Sequence, residues 1–189
     1  MGSTKSLGLI TLAMGATMLL AACGGGSTTT AANTTMTHEG ALIFNPPFRI
    51  GSATAAQFAA TVGATPAGAE LLLVTGPPTC GIDFYYIQYY TVGGAGEATN
   101  ASGALMVPTG LPGKCTGKHP IVLYAHGTAS TRNYNIADPT STTNEAASES
   151  GLIAAMFAAQ GYIVVAPNYP GYDSSPLTYH PFLNADALG

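Results

Sequence analysis

The sequence is short of charge. Only 7% of its 189 residues are charged, 5 Lys or Arg and 9 Asp or Glu, whereas a soluble domain carries about 25%. So few cations cannot form the basic surface that nucleic acid requires, and we expect no nucleic-acid partner. The heptads of a coiled coil are also missing. Disorder driven by charge repulsion is excluded, because 47% of the residues are hydrophobic.

Residues 1–22 have the pattern of a secretory signal peptide. Lys5 precedes an apolar run from Leu7 to Leu20, a length that suits a signal peptide and is short for a membrane span. The next residues lead to Cys23 and resemble the bacterial lipobox, in which small residues precede a cysteine that becomes lipid-modified. The alternative is an ordinary cleaved signal with a cysteine close by.

The lipobox interpretation predicts an exported protein that contacts the membrane of the cell envelope through lipid on Cys23. Gly24, and not Asp, follows this cysteine. By the Gram-negative sorting rule this favours the outer membrane; without the anchor, we expect secretion. Residues 23–37 carry no charge and little apolar surface, so they are predicted to be a flexible tether. The folded domain is then expected over residues 38–189.

The two remaining cysteines, Cys80 and Cys115, form one pair in an exported chain. An oxidising compartment favours a disulfide between them, and two free thiols are the alternative. A zinc site is not supported, because there is no Cys-x-x-Cys and His119 is the only histidine near either cysteine. We expect no metal and no cofactor.

Four apolar segments predict strands. Residues 83–92 and 98–107 are joined by Gly93–Gly96 and suit an antiparallel hairpin, with Pro108 ending the second strand. Residues 120–125 and 162–166 are short apolar runs without alternation. Such runs are typical of strands buried on both faces of a parallel sheet.

A polar loop, residues 127–144, and a predicted helix separate the two short runs. Thr142 and Glu145 are spaced as a capping box for that helix, and Gly161 is expected to end it. Its predicted apolar face consists of Leu152, Ile153, Met156 and Phe157. The order strand, helix, strand predicts an α/β fold in which an antiparallel hairpin leads into a mostly parallel sheet.

Two segments carry a resemblance to a known family. Residues 121–128 (IVLYAHGT) and 161–174 (GYIVVAPNYPGYDS) together resemble the N-terminal half of α/β-hydrolase esterases and lipases. The first is similar to a strand that runs into a His-Gly oxyanion loop, and the second to a strand followed by a Pro-x-Tyr-x-Gly turn. Residues 180–183 (HPFL) are similar to the start of the next helix in bacterial secretory lipases. The resemblance covers about residues 70–189 and implies hydrolysis of an ester or lipid substrate.

The resemblance also implies roles for three residues. The backbone N–H of Thr128 would stabilise the tetrahedral oxyanion of ester hydrolysis, with Gly127 and His126 shaping the loop. The alternative is a plain tight turn after a strand. The family order of the triad is Ser, then Asp or Glu, then His. His126 and Asp173 do not fit this order, and Asp173 is expected to brace the turn beside Ser174.

The nucleophile motif Gly-x-Ser-x-Gly is absent from these residues, since Ser150, Ser174 and Ser175 all fail its spacing. The resemblance places the motif beyond residue 189, so the chain is expected to lack nucleophile, acid and base and to be inactive alone. Its sheet would then be incomplete, with an exposed hydrophobic edge. Two alternatives remain: a non-catalytic surface lipoprotein that binds a ligand or envelope partner, and another α/β enzyme such as a dienelactone hydrolase or peptidase.

Overall fold

The computed structural model describes residues 39–179. Five strands form one sheet in the order β1-β2-β3-β5-β4. The strands are β1 (Phe48–Ala53), β2 (Gly81–Val92), β3 (Ala98–Thr109), β4 (Ile121–Leu123) and β5 (Ile163–Pro167). The helices are α1 (Ala55–Gly63), α2 (Pro66–Thr75) and α3 (Ala147–Met156).

Several predictions concern residues outside the described part of the chain. They are the signal peptide, the lipidated Cys23, the tether and the segment that begins at His180. Within residues 39–179, no helix is long and apolar enough to cross a membrane.

The predicted hairpin is confirmed. β2 and β3 are antiparallel and pair from Gly81 with Thr109 to Val92 with Ala98. The prediction that Pro108 ends the second strand is wrong, because Pro108 lies inside that strand and pairs with Ile82. On its other side β3 meets β5 only over Gly103–Met106. On that side Pro108 therefore has no neighbouring strand, and the N–H that proline lacks is not needed for pairing.

The strand, helix, strand unit is confirmed as well. β4 and β5 are parallel neighbours and α3 lies between them in the chain, while the other three strand pairs are antiparallel. β5 lies inside the sheet, and its Val164 and Ala166 are buried. β4 lies at the edge, where Ile121 and Leu123 are 68% and 74% exposed. The prediction of burial on both faces is thus wrong for β4, because no described element covers it.

The predicted start of α3 is wrong. The helix begins at Ala147, and its N-cap, Ala146, makes no side-chain capping bond. Asn144 orders the preceding turn instead, because its Oδ1 accepts the backbone N–H of Asn135 (2.9 Å) and of Ala146 (3.1 Å). Thr142 is an exposed turn residue that caps nothing.

The buried face of α3 also differs from the prediction. Its buried residues are Ser150, Ile153, Ala154 and Ala155. Of the predicted apolar face, Ile153 is buried and Phe157 packs partly against the core, but Leu152 and Met156 stay 37% and 44% exposed. Three of these four side chains are small, so residue size, and not hydrophobicity alone, selects the buried face. The prediction that Gly161 ends the helix is wrong, because α3 ends at Met156 and Gly161 (φ 97°) stops the 3₁₀ turn that follows it.

β1, α1 and α2 were not predicted, although the signals for both helices are present. Thr54 and Gln57 form a capping box at the start of α1, with bonds of 3.2 and 2.9 Å. Thr65 caps α2, and Pro66 stands in its first turn.

The predicted disulfide is confirmed, since Cys80 and Cys115 are bonded. Both cysteines are buried, and the bond ties the start of β2 to the loop after β3.

Replacing both cysteines by alanine should lower the free energy of unfolding by about 3–4 kcal/mol, because the bond joins residues that are 35 positions apart in the chain. Urea unfolding followed by circular dichroism measures this. As a control, dithiothreitol should destabilise the wild type by the same amount and leave the double variant unchanged. An unchanged midpoint, or free thiols at both positions in a non-reducing peptide map, would contradict the assignment.

Candidate active site

The His-Gly loop, defined here as residues 125–133, leaves the sheet at the carboxyl end of β4. The N–H of Tyr124 donates to the carbonyl of Val165 (2.9 Å) and extends the β4–β5 pairing by one residue. The chain then turns away, with His126 buried and Gly127 and Thr128 exposed. Adjacent parallel strands bring their carboxyl ends to one edge, which is where α/β proteins place their sites.

Aromatic rings hold the imidazole of His126 in place. It is stacked between Tyr134, with ring centroids 4.3 Å apart, and Tyr169, at 4.2 Å. Tyr172 meets it edge-on at 5.4 Å. Rings packed on three sides leave the imidazole little freedom to rotate.

Both nitrogens of His126 face carbonyl oxygens. Nδ1 lies 2.6 Å from the oxygen of Gly127, and Nε2 lies 3.2 Å from the oxygen of Asn168. A carbonyl oxygen only accepts, and a neutral imidazole has one N–H, so the neutral ring donates to one of them at a time. Within residues 39–179, no serine hydroxyl is hydrogen-bonded to a histidine nitrogen. The described residues therefore hold His126 as a structural support of the loop.

The hydrogen bond to Gly127 has a consequence for Thr128. The carbonyl of Gly127 and the N–H of Thr128 belong to one peptide group, which is planar and trans, so they point in opposite directions. With its proton on Nδ1, the nitrogen at the shorter distance, His126 holds this carbonyl and so sets the direction of the Thr128 N–H. This N–H makes no hydrogen bond to any described residue, and Thr128 is exposed. An N–H that is fixed in direction and unpaired is suited to bind an anionic oxygen.

Gly127 is not in the left-handed region of φ. A Cβ added there would meet no atom within 4 Å. Neither the backbone nor the packing of the described residues therefore requires glycine at this position. What the missing side chain provides is open space above the loop.

One carboxylate contacts both flanks of the His-Gly loop. The hydroxyl of Tyr124 donates to Oε1 of Glu149 and that of Tyr134 to Oε2, each at 2.5 Å. The bond to Glu149 is the main cause that raises the pKa of Tyr124 to about 12. Burial, and then the bond to Glu149, raise the pKa of Tyr134 above its usual value of 10. Both phenols therefore remain protonated donors at neutral pH.

A second polar network lies behind the loop and centres on the fully buried Asn168. Its Oδ1 accepts the backbone N–H of Ile136 (2.9 Å), and its Nδ2 donates to the hydroxyl of Ser102 (2.8 Å). Ser102 in turn donates to Oδ2 of Asp173 (2.5 Å), as does Tyr86 (2.6 Å). The prediction that Asp173 braces its turn is confirmed, and the turn is bound to β2 and β3.

Sequence reasoning did not find Tyr134, Glu149 or Asn168. The length of the polar loop was a signal that it does more than connect, but it did not single out one residue.

In the described part of the chain, Ser150 and Ser175 have buried hydroxyls without a partner. No group of three His, Cys, Asp or Glu side chains within residues 39–179 is placed to hold a metal ion.

A cavity of about 860 Å³ lies elsewhere in the fold, between the α1–α2 pair, β1 and α3. Its apolar wall includes Phe58, Val62, Leu71 and Phe84. The cavity and the His-Gly loop share no residue.

Known structures share this fold. No protein-family model matches the chain, and none of the curated proteins does. A ligand-bound crystal structure of the rice cell wall degrading esterase LipA from Xanthomonas oryzae is 27% identical over 75% of this chain and 32% of its own, with a TM-score of 0.57. Another crystal structure of that esterase is 25% identical over 77% and 33%, with a TM-score of 0.55.

A protein from Legionella pneumophila, provisionally described as a hydrolase, is 24% identical over 78% of this chain and 35% of its own, with a TM-score of 0.55; it shows the fold alone. The chain therefore has a hydrolase-like α/β fold and spans about a third of the length of the structures it resembles.

Replacing Asn168 by alanine should lower the free energy of unfolding by about 2 kcal/mol or more. The change leaves the N–H of the buried Ile136 without an acceptor, which costs about 1–3 kcal/mol. It also removes the donor to the Ser102 hydroxyl, which keeps its own bond to Asp173. Urea unfolding measures the effect. Asn100→Ala is the matched control, because the Asn100 Oδ1 is buried without a hydrogen bond to lose. Equal destabilisation by both variants would contradict this account of the network.

Proposed function

We propose that this chain is the N-terminal part of a carboxylic-ester hydrolase, which transfers the acyl group of an ester or lipid first to a serine and then to water. The observation that carries the proposal is the N–H of the exposed residue Thr128, which bonds to no described residue and whose direction is set by His126. The likeness in fold to an esterase over 75% of the chain supports it. The nucleophile, acid and base are proposed to lie outside these 189 residues, which alone would be inactive.

The proposed chemistry explains why a backbone N–H matters. Attack on the ester carbonyl places negative charge on its oxygen, and a donor already aimed at that oxygen needs no reorganisation. Thr128 would supply one donor, and the residue after the nucleophile would supply the other. Losing one such donor costs about 3–4 kcal/mol of transition-state stabilisation.

Thr128→Pro should lower kcat by about 10²–10³-fold in the gene product that includes the nucleophile motif, because proline has no N–H. Hydrolysis of p-nitrophenyl butyrate measures this. Thr128→Ala is the matched control and should stay within a few-fold of wild type, since it keeps the N–H. Circular dichroism and urea unfolding establish that the proline variant is folded.

Wild-type kcat in folded Thr128→Pro would contradict the proposed role of this N–H. No turnover by the wild-type gene product would instead favour the non-catalytic alternative, a surface lipoprotein that binds a ligand, for which the 860 Å³ cavity is a candidate site. Turnover by the 189 residues alone would contradict the proposal that the nucleophile lies elsewhere.

We also propose that the protein is exported and anchored in the bacterial envelope by lipid on Cys23, in the outer membrane if the host is Gram-negative. The lipobox pattern supports this. The disulfide between Cys80 and Cys115 is in keeping with an oxidising compartment.

Cys23→Ser should abolish incorporation of labelled palmitate and move the protein from the membrane fraction to the soluble fraction, because the anchoring thiol is lost. Labelling of growing cells followed by fractionation measures both effects. The Cys80→Ser/Cys115→Ser variant is the control and should retain the label. Undiminished labelling of Cys23→Ser would contradict the proposed anchor.

A further inference from the structure

Glu149 connects the two flanks of the His-Gly loop. Tyr124 precedes the loop and Tyr134 follows it, and their hydroxyls donate to separate oxygens of this one carboxylate. Between the two tyrosines lies the peptide group that joins Gly127 to Thr128. A displacement of Glu149 would therefore loosen both ends of the loop together.

The carboxylate of Glu149 belongs to α3, a helix that is packed in the core. Glu149 stands in the first turn of α3, where the helix dipole favours negative charge. The neighbouring Ser150 and Ile153 anchor this helix in the core, since both are fully buried. Glu149 forms no ion pair with a described residue; the ion pair found within residues 39–179 joins Arg49 and Asp83. The two phenols thus provide the hydrogen bonds that this carboxylate receives.

The path from Glu149 to the candidate donor has three steps. Its Oε2 holds the hydroxyl of Tyr134. The Tyr134 ring is stacked on the imidazole of His126, with centroids 4.3 Å apart. The imidazole Nδ1 lies 2.6 Å from the carbonyl of Gly127, which shares its peptide plane with the Thr128 N–H.

We propose that Glu149 is a positioning residue that aims the Thr128 N–H through Tyr134 and His126, with Tyr124 securing the other flank of the loop. It touches no reacting atom. The inference rests on the proposed ester hydrolysis for its effect on rate, but its effect on the order of the loop is independent of any reaction.

Two variants test the role of Glu149, and each keeps nearly the shape of the native side chain so that the fold is retained. Glu149→Gln keeps the shape of the side chain, but one of the two oxygens that the phenols now occupy becomes an NH2 group, so one phenol loses its acceptor. Tyr134→Phe removes the hydroxyl and keeps the ring on His126. Glu145→Gln is the matched charge control, because Glu145 is exposed and its side chain makes no hydrogen bond to another described residue. Tyr162→Phe is the matched phenol control, since no residue within 39–179 is hydrogen-bonded to the Tyr162 hydroxyl.

In the gene product that carries the nucleophile motif, Glu149→Gln and Tyr134→Phe should each lower kcat by about 10–100-fold, because small misplacements of catalytic groups have effects of this size. KM should stay within about twofold. Hydrogen–deuterium exchange measured by mass spectrometry should become several-fold faster in peptides covering residues 125–133 and stay unchanged in β2 and β3. Both controls should behave as wild type.

Wild-type kcat and wild-type exchange in both variants would overturn the inference. A rise in KM with unchanged kcat would also overturn it, because that pattern reports lost binding and not lost alignment. If the wild-type gene product hydrolyses no ester, the proposed function fails, and exchange alone decides the role of Glu149. Faster exchange confined to the loop then supports the ordering role, and unchanged exchange refutes it.

Discussion

The candidate site depends on the contact between the ring of His126 and the carbonyl of Gly127, which are 2.6 Å apart. A peptide group is rigid, so holding its oxygen also directs the N–H on its other side. His126 therefore orients the N–H of Thr128 and does not itself need to contact a substrate. This separates the support of the site from its chemistry and explains how a buried histidine can serve an exposed loop.

The rest of the described site serves to keep that imidazole still. Tyr134 and Tyr169 confine the ring between their faces, and Glu149 fixes the hydroxyl of Tyr134. From the other side, Asn168 presents its carbonyl to the ring and binds Ser102 through its side chain. Ring stacking and hydrogen bonds thus act on the imidazole together, and each contact reduces its freedom to move.

Patterns of short range in the sequence were sufficient for much of the fold. The hairpin follows from aromatic and β-branched residues around Gly93–Gly96, and the parallel pair from two apolar runs separated by a helix. The capping box at Thr142 failed because the N–H of Glu145, which Thr142 would cap, donates to the carbonyl of Asn133 instead. The prediction that Leu123 is buried failed, since Leu123 is exposed. The hydrophobicity of a strand indicates that it can be buried, but it does not show that a neighbouring element is present to cover it.

The sequence by itself determined the α/β class, the disulfide as the favoured state of its cysteine pair, and the position of the His-Gly loop after a strand. These features depend on residue types and on spacings along the chain. Only the tertiary structure decided what supports that loop. Glu149 meets Tyr124 from 25 positions away, and His126 lies beside Asn168 from 42 positions away. Contacts at such separations leave no periodic trace in the sequence, because they arise only after the strands and α3 have packed together.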